Sequence, residues 1–225
     1  MCDERESGRG GQRTPERGTV VRRGVGKAFF AWLLAHGERA DRRIYGARKR
    51  DLLGGLAGIV VEIGAGAGPN ARYLAAGTRW IAVEPNVHFH RRLRQSAEAA
   101  GLDLEIVPGV AERLPLADAS VDAVVSTLVL CSVDRVPAAL AEVRRVLKPG
   151  GRFVFIEHVA AREGTGLRWL QRALRGPWGV IADGCRPDRE TLAAIRGAGF
   201  SRVEAERFRL RAGLVAPHVM GVAVR

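Results

Sequence analysis

Lysine is nearly absent from this chain of 225 residues: of its 36 basic side chains only Lys27, Lys49 and Lys148 are lysine. An arginine excess of that kind, beside abundant alanine and glycine, is what a biased base composition produces without any partner. The formal net charge is +12 and aromatic residues make up only 6%. A nucleic-acid or anionic-membrane patch needs a dense basic run with aromatics between the charges, and none is present. The charge therefore reads as solvated surface, and nucleic acid is not expected as a partner. Cysteine is also scarce. Cys2, Cys131 and Cys185 are odd in number and show no C-x-x-C or His/Cys ligand spacing. That spacing excludes a disulfide framework, gives no structural zinc pattern, leaves no metal expected, and fits a reducing compartment. Long hydrophobic runs are missing too, since no stretch reaches the ~18 apolar residues of a membrane span. Ala28 to Ala35 is far shorter, lacks a small-residue cleavage pattern and follows residues of mixed charge. A cytoplasmic protein is expected.

What is present suits a single α/β domain: 47% of the residues are hydrophobic, enough for a full core. Residues 1–23, rich in Gly, Arg and Glu, read as a disordered tail. Residues 24–225 read as one domain with an N-terminal helical cap at 24–57. In that cap Phe29, Phe30, Trp32, Leu33 and Leu34 mark a short helix, and Ile44, Leu52 and Leu53 a second. From Gly58 onward, short apolar runs alternate with helical patterns. The runs are Ile59–Val61, Trp80–Val83, Leu104–Val107, the region of Ala123–Val125 with Leu128–Leu130, and Phe153–Ile156. Runs apolar on both faces suit parallel strands covered by helices. Asn86 can cap a helix carrying Phe89, Leu93 and Ala97, stopped by Gly101. Asp134 can cap one carrying Val136, Leu140, Val143 and Leu147, stopped by Pro149 and Gly150. Asp188 can cap one carrying Leu192 and Ile195, ending at Gly199. This alternation predicts a Rossmann-like, doubly wound, mostly parallel sheet.

The sharpest local signal is VEIGAGAGPN, Val61 to Asn70. A strand runs into Gly64, Ala65, Gly66 and Gly68, and a helix is expected near Pro69. Glycines here permit a tight turn and close approach of a ligand to the backbone. Glu84, followed by Pro85, ends the next strand, where a carboxylate can accept from both hydroxyls of a ribose. That much fits a nicotinamide dinucleotide or S-adenosylmethionine. The spacing is G-x-G-x-G rather than G-x-G-x-x-G. Glu62 sits two residues before the first glycine, where it would repel a pyrophosphate but could meet an ammonium directly or through water. Both features favour S-adenosylmethionine. The turn Leu147 to Gly151 resembles the one found before strand five in class I methyltransferases, and Gly109 to Asp122 looks like the loop that lies over adenine in that family. Backbone groups of Val110 or Ala111, with Glu112, are candidates for reading the adenine.

From Tyr45 onward the chain resembles the methyltransferase-11 type of class I S-adenosylmethionine-dependent methyltransferases. More narrowly it is similar to the methyltransferase-like alkyl thiol S-methyltransferases. The segments that carry the resemblance are TLVLCSV (Thr127 to Val133), EHV (Glu157 to Val159), DGC (Asp183 to Cys185) and APHVMGVAV (Ala216 to Val224). The resemblance implies a seven-stranded sheet with an antiparallel last strand. It also implies S-adenosylmethionine as cofactor and methyl transfer to a small molecule, with a thiol as first choice. Methylation of oxygen, nitrogen or carbon on a metabolite or lipid headgroup stays open, as does a non-catalytic module that binds the coenzyme. Animal members carry a hydrophobic N-terminal anchor. The run at Ala28 does not match it, so membrane attachment is not carried over.

The thiol reading directs attention to the carboxyl ends of strands four and five. His158 is the first candidate for a base, against a histidine hydrogen-bonded in the wall of the sheet. Asp183 is the second, against a cap or surface ion pair, and His218 the third, with a position behind the site favoured for it. Thr127 joins the cofactor set, while Cys131, His158, Trp178 and Cys185 are placed at the acceptor. Ala161 to Val180, with its tryptophans and arginines, reads as a lid or pocket wall in preference to a membrane foot. Replacing the ribose acid, Glu84→Ala, should abolish coenzyme binding in calorimetry with the fold intact. Unchanged affinity would remove Glu84 from that role.

Overall fold

The computed structural model describes residues 37–225. The tail at 1–23 and the helix expected around Phe29 to Leu34 lie outside the described residues. Helix α1 (Glu38–Leu53) takes up the second expected helix. It buries a stripe at every fourth residue, Tyr45, Lys49 and Leu53, the spacing that puts side chains on one helical face. Ile44 lies off that stripe and is exposed. Lys49 is fully buried, and its Nζ donates to both carboxylate oxygens of Asp41 at 2.7 and 2.8 Å.

Five parallel strands follow: β1 (Ile59–Ile63), β2 (Arg79–Val83), β3 (Asp103–Val107), β4 (Val121–Thr127) and β5 (Leu147–His158). β6 (Arg202–Arg209) and β7 (Pro217–Val224) complete a seven-stranded sheet of order β3-β2-β1-β4-β5-β7-β6. β7 runs antiparallel to both of its neighbours, as the resemblance implied. The strand period of two divides each central strand between two cores. Val61, Ile63, Phe153 and Phe155 face α3 (Val136–Val146) and α6 (Thr191–Gly197). Val60, Trp80 and Val154 share the opposite core with Leu93 and Ala97 of α2 (His90–Ala100) and with Leu53. Each fully buried aliphatic side chain of α3, such as Leu140 and Val143, contributes ~1.5–3 kcal/mol relative to an exposed one. Two short helices, α4 (Gly166–Ala173) and α5 (Arg175–Ile181), follow β5.

The helix starts differ from the sequence expectation in an instructive way. No helix forms at Pro69; a 3-10 turn, Ala71–Tyr73, replaces it. Asn86 does cap, but what it caps is the 3-10 turn Val87–Phe89 ahead of α2. Gly101 ends α2 in the left-handed conformation. Asp134 is not the cap of α3. The N-cap position is Arg135, and Oε1 of Glu112 accepts from the N–H groups of Asp134 and Arg135 at 2.7 and 3.2 Å. A carboxylate distant in sequence thus satisfies donors that a local cap usually takes. Asp188 precedes α6 without capping it; Glu190 is the N-cap residue there, making no side-chain capping hydrogen bond and pairing instead with Arg168 at 2.8 Å. α3 runs directly into β5. Val121 pairs with Leu147 and Ala123 with Arg152, so Lys148 to Gly151 bulge out of the ladder.

β7 approaches β6 too closely at Gly221 to admit a side chain: an added Cβ would lie 2.0 Å from the Glu204 carbonyl oxygen. Gly221→Ala should cost ~1–3 kcal/mol as overpacking, lowering the thermal midpoint by ~2–4 °C per kcal/mol. A midpoint equal to that of the parent would mean that β6 yields freely.

Candidate active site

The carboxyl ends of β1, β2, β4 and β5 open into one cleft of about 1970 Å³. A pocket for one small ligand holds ~300–1,000 Å³, so there is room for a coenzyme and an acceptor together. Every residue assigned to cofactor or acceptor from the sequence lines this cleft: Glu62, Gly64, Ala65, Gly66, Gly68, Glu84, Pro85, Val110, Ala111, Glu112, Thr127, Cys131, His158, Trp178, Asp183 and Cys185. Arg175, Gly176 and Gly179 join them, so part of Ala161 to Val180 forms a wall of the cleft.

At the coenzyme end, Gly64 adopts φ +61°, and a Cβ there would strike Val129 at 2.6 Å. The glycine loop therefore packs directly on the turn after β4. Beside Gly66, by contrast, nothing lies within 4 Å of an added Cβ, which leaves its backbone open to a ligand. The Gly66 N–H donates to Glu84 Oε2 at 2.9 Å, and the Asn86 N–H donates to Oε1 at 2.7 Å. Glu84 thus ties the glycine loop to the turn after β2. Glu62 is buried beneath the loop. Its Oε1 accepts from Asn70 Nδ2 at 2.8 Å and its Oε2 from Trp80 Nε1 at 3.1 Å. Asn70 Nδ2 also donates to Thr127 Oγ1 at 3.0 Å, while Asn70 Oδ1 is buried without a partner among the described residues. An unpartnered buried acceptor beside a carboxylate fits the α-ammonium of S-adenosylmethionine. Burial pushes the Glu62 carboxyl up to about 7, against the opposing influence of Lys49, Asn70 and Trp80.

Gly109 to Glu112, the candidates for the adenine from the sequence, line the cleft with Val110 half exposed and Ala111 buried. Glu112 Oε1 is engaged by the start of α3, as described above. Arg145 fastens the rest of this loop, donating to the Leu114 and Leu116 carbonyls at 2.9 and 2.8 Å.

At the acceptor end three elements converge. Cys131 lies in the turn after β4, His158 ends β5, and Cys185 follows α5; all three are buried. His158 Nε2 lies 3.0 Å from Cys185 Sγ, and Trp178 Nε1 donates to the same sulfur at 3.2 Å. His158 Nδ1 has no partner among the described residues. The sulfurs are unequal. Donation toward Cys185, reinforced by burial, pushes the Cys131 thiol up. Cys185, accepting from Cys131 and then from His158 and Trp178, is held below the ordinary thiol range. Asp183 also lines the cleft, in a left-handed backbone conformation with φ +46°. His218 stands outside the cleft lining. Its Nδ1 donates to the Ala216 carbonyl at 3.1 Å, and its Nε2 accepts from Tyr45 Oη at 2.9 Å. Burial lowers it to about 4, so it is neutral at physiological pH.

Asn70 and Lys49 were not singled out from the sequence. Asn70 closes the VEIGAGAGPN motif and could have been marked on that ground. Lys49 carries no local signal, because only the docking of α1 brings its charge within reach of Glu62.

A class I S-adenosylmethionine-dependent methyltransferase is the class that this strand order, glycine loop and carboxylate pair define. Comparison with known proteins agrees. A family profile described as a methyltransferase domain matches residues 61–155. The human thiol S-methyltransferase TMT1B is 38% identical over 213 residues, 88% of this chain and 87% of that protein. The human thiol S-methyltransferase TMT1A is 40% identical over 171 residues, 74% of this chain and 70% of that protein. The structure of geranyl diphosphate C-methyltransferase from Streptomyces coelicolor, with S-adenosyl-L-homocysteine, superposes at a TM-score of 0.63 and 18% identity. It covers 82% of this chain and 81% of that one, and shares the fold. The chain belongs to the S-adenosylmethionine-dependent methyltransferase family that includes TMT1A and TMT1B.

A carboxyl raised to about 7 ionises across neutrality, and the coenzyme ammonium selects its charged form. Coenzyme affinity should therefore rise roughly fivefold to tenfold between pH 6 and 7.5, and Glu62→Gln should flatten the profile. In the coenzyme-free protein the sign reverses. A carboxyl raised above its unfolded value removes stability as pH climbs from about 4.5 toward 7. An unchanged affinity slope in Glu62→Gln would place the titrating group elsewhere.

Proposed function

We propose that this enzyme transfers the methyl group of S-adenosylmethionine to the sulfur of a small thiol. The observation that carries this reading is the character of the acceptor end, where two cysteines, an indole and one imidazole meet. Transfer from a sulfonium is an in-line displacement with an already activated donor. The new C–S bond forms as the old one breaks, and the electron pair returns to the coenzyme sulfur. The protein supplies alignment and a dry cleft. A thiol, with pKa near ~8.5, needs only modest help to ionise. An imidazole suffices for that, whereas an alcohol would call for a stronger base. His158 is the group that promotes ionisation, and Asp183, Trp178 and the two cysteines shape the acceptor pocket. The names of TMT1A and TMT1B support the same substrate class. The arginine-rich surface needs no partner beyond the small acceptor, and a cytoplasmic, reducing setting suits Cys131 and Cys185, which form no disulfide.

The test is methyl transfer from labelled coenzyme to a panel of alkyl thiols, phenols, amines and lipid headgroups. Turnover should be confined to thiols, and His158→Ala should slow weakly acidic thiols more than acidic ones. Transfer to phenols or amines with none to thiols would sink the proposal, and an equal loss across thiol acidity would remove His158 from ionisation.

A further inference from the structure

Cys131, His158 and Cys185 have no ligand spacing along the chain, yet the fold brings one ligand atom from each to within 4.8 Å of the others. The convergence is built in. The Arg186 N–H donates to the Cys131 carbonyl at 2.9 Å, clamping the turn after β4 to the turn after α5. Leu128 and Asp183, three and two residues ahead of the cysteines, both take left-handed backbone, with φ +58° and +46°. That conformation is unfavourable for residues with a side chain and is commonly kept where a site requires it. Polar groups also surround the sulfurs: Trp178 Nε1 donates to Cys185 at 3.2 Å, and Ser132 Oγ lies 3.5 Å from Cys131.

We propose that Cys131 Sγ, His158 Nε2 and Cys185 Sγ form a binding site for a soft divalent transition-metal cation, with zinc as the reference ion, whose fourth position opens into the cleft. Two thiolates and a neutral imidazole suit zinc by ligand type, and they neutralise its charge in a buried setting. Three protein ligands with one open position are the arrangement of a reactive site rather than a structural one. The N–H donor of Trp178 on a ligating sulfur is the kind of outer contact that orients and tunes such ligands. The cluster lies in the same cleft as the glycine loop, so the open position faces the region that holds coenzyme and acceptor. The catalytic part of this inference rests on the thiol reading above. An acceptor thiol taking the open position gives its proton to water, and its sulfur lone pair then attacks the methyl carbon. The coenzyme C–S bond breaks, and its electron pair returns to the coenzyme sulfur. His158 then promotes ionisation as a ligand rather than by taking the proton.

The experiment uses the full chain, purified anaerobically with a phosphine reductant, stripped with a chelator and titrated with Co²⁺. Binding in equimolar ratio should give a thiolate-to-cobalt charge-transfer band with intense tetrahedral ligand-field bands, and Zn²⁺ should displace both. Cys131→Ser and Cys185→Ser should each weaken zinc binding at least ~100-fold, more than loss of an outer contact does. Coenzyme binding in the same variants reports that they fold; if either loses it, His158→Ala gives the same reading from a different ligand. Addition of an alkyl thiol to the cobalt form should shift the bands. A wild-type chain with no thiolate band, or zinc affinity unchanged in a Cys131→Ala, Cys185→Ala double variant, would overturn the site. Full thiol turnover by metal-free protein would overturn its catalytic part while leaving the thiol reading intact. Metal binding without thiol turnover would keep the site and discard that reading.

Discussion

A single buried carboxylate organises the coenzyme half of this protein. Glu62 lies one residue before the end of β1 with both oxygens occupied, one by Asn70 from the glycine loop and one by Trp80 from β2. Through Asn70 the same contact reaches Thr127 at the end of β4. The carboxyl ends of β1 and β4 and the start of β2 are thereby coupled to one ionisable group whose charge burial resists. Lys49 opposes that resistance from α1, and its own charge is matched by Asp41. Such an arrangement suits a cationic ligand, since the ammonium of S-adenosylmethionine supplies the charge that the buried carboxylate lacks.

The two ends of the cleft have different chemistry for a physical reason. The coenzyme end presents oxygen and nitrogen groups held by short hydrogen bonds, a chemistry suited to hydroxyls and an ammonium. At the acceptor end sulfur, indole and imidazole come together, polarisable groups that suit a soft nucleophile. Between them lies the contact of Gly64 with Val129, which allows the glycine loop and the turn after β4 to meet without an intervening side chain. Both ends open into one cleft, the shared space that an in-line displacement requires.

Much of the architecture could be read along the chain. Four of the five parallel strands were visible as apolar runs because both of their faces are covered, whereas β3, at the sheet edge, is only partly buried; α2 was visible because its buried residues recur at helical spacing and Gly101 ends it. The glycine loop and Glu84 were visible because backbone conformation and strand-end position are local properties. Errors fell where a distant group replaced a local one. Asp134 looked like a cap, yet Glu112, more than twenty residues earlier, binds the start of α3. Pro69 looked like a helix start, yet the chain manages only a 3-10 turn before β2.

The family resemblance pointed to the acceptor residues, while along the sequence alone residue types and their periodicity determined the alternation of strands and helices and the coenzyme loop. These depend on interactions between near neighbours, which spacing records directly. Tertiary structure decided the rest. It set the raised Glu62 carboxyl and brought the charge of Lys49 within its reach. It gave the start of α3 to Glu112, and it gathered Cys131, His158 and Cys185 from three separate elements. Each of these depends on low dielectric or on contact between residues that sheet topology joins, and no interval along the chain encodes that proximity.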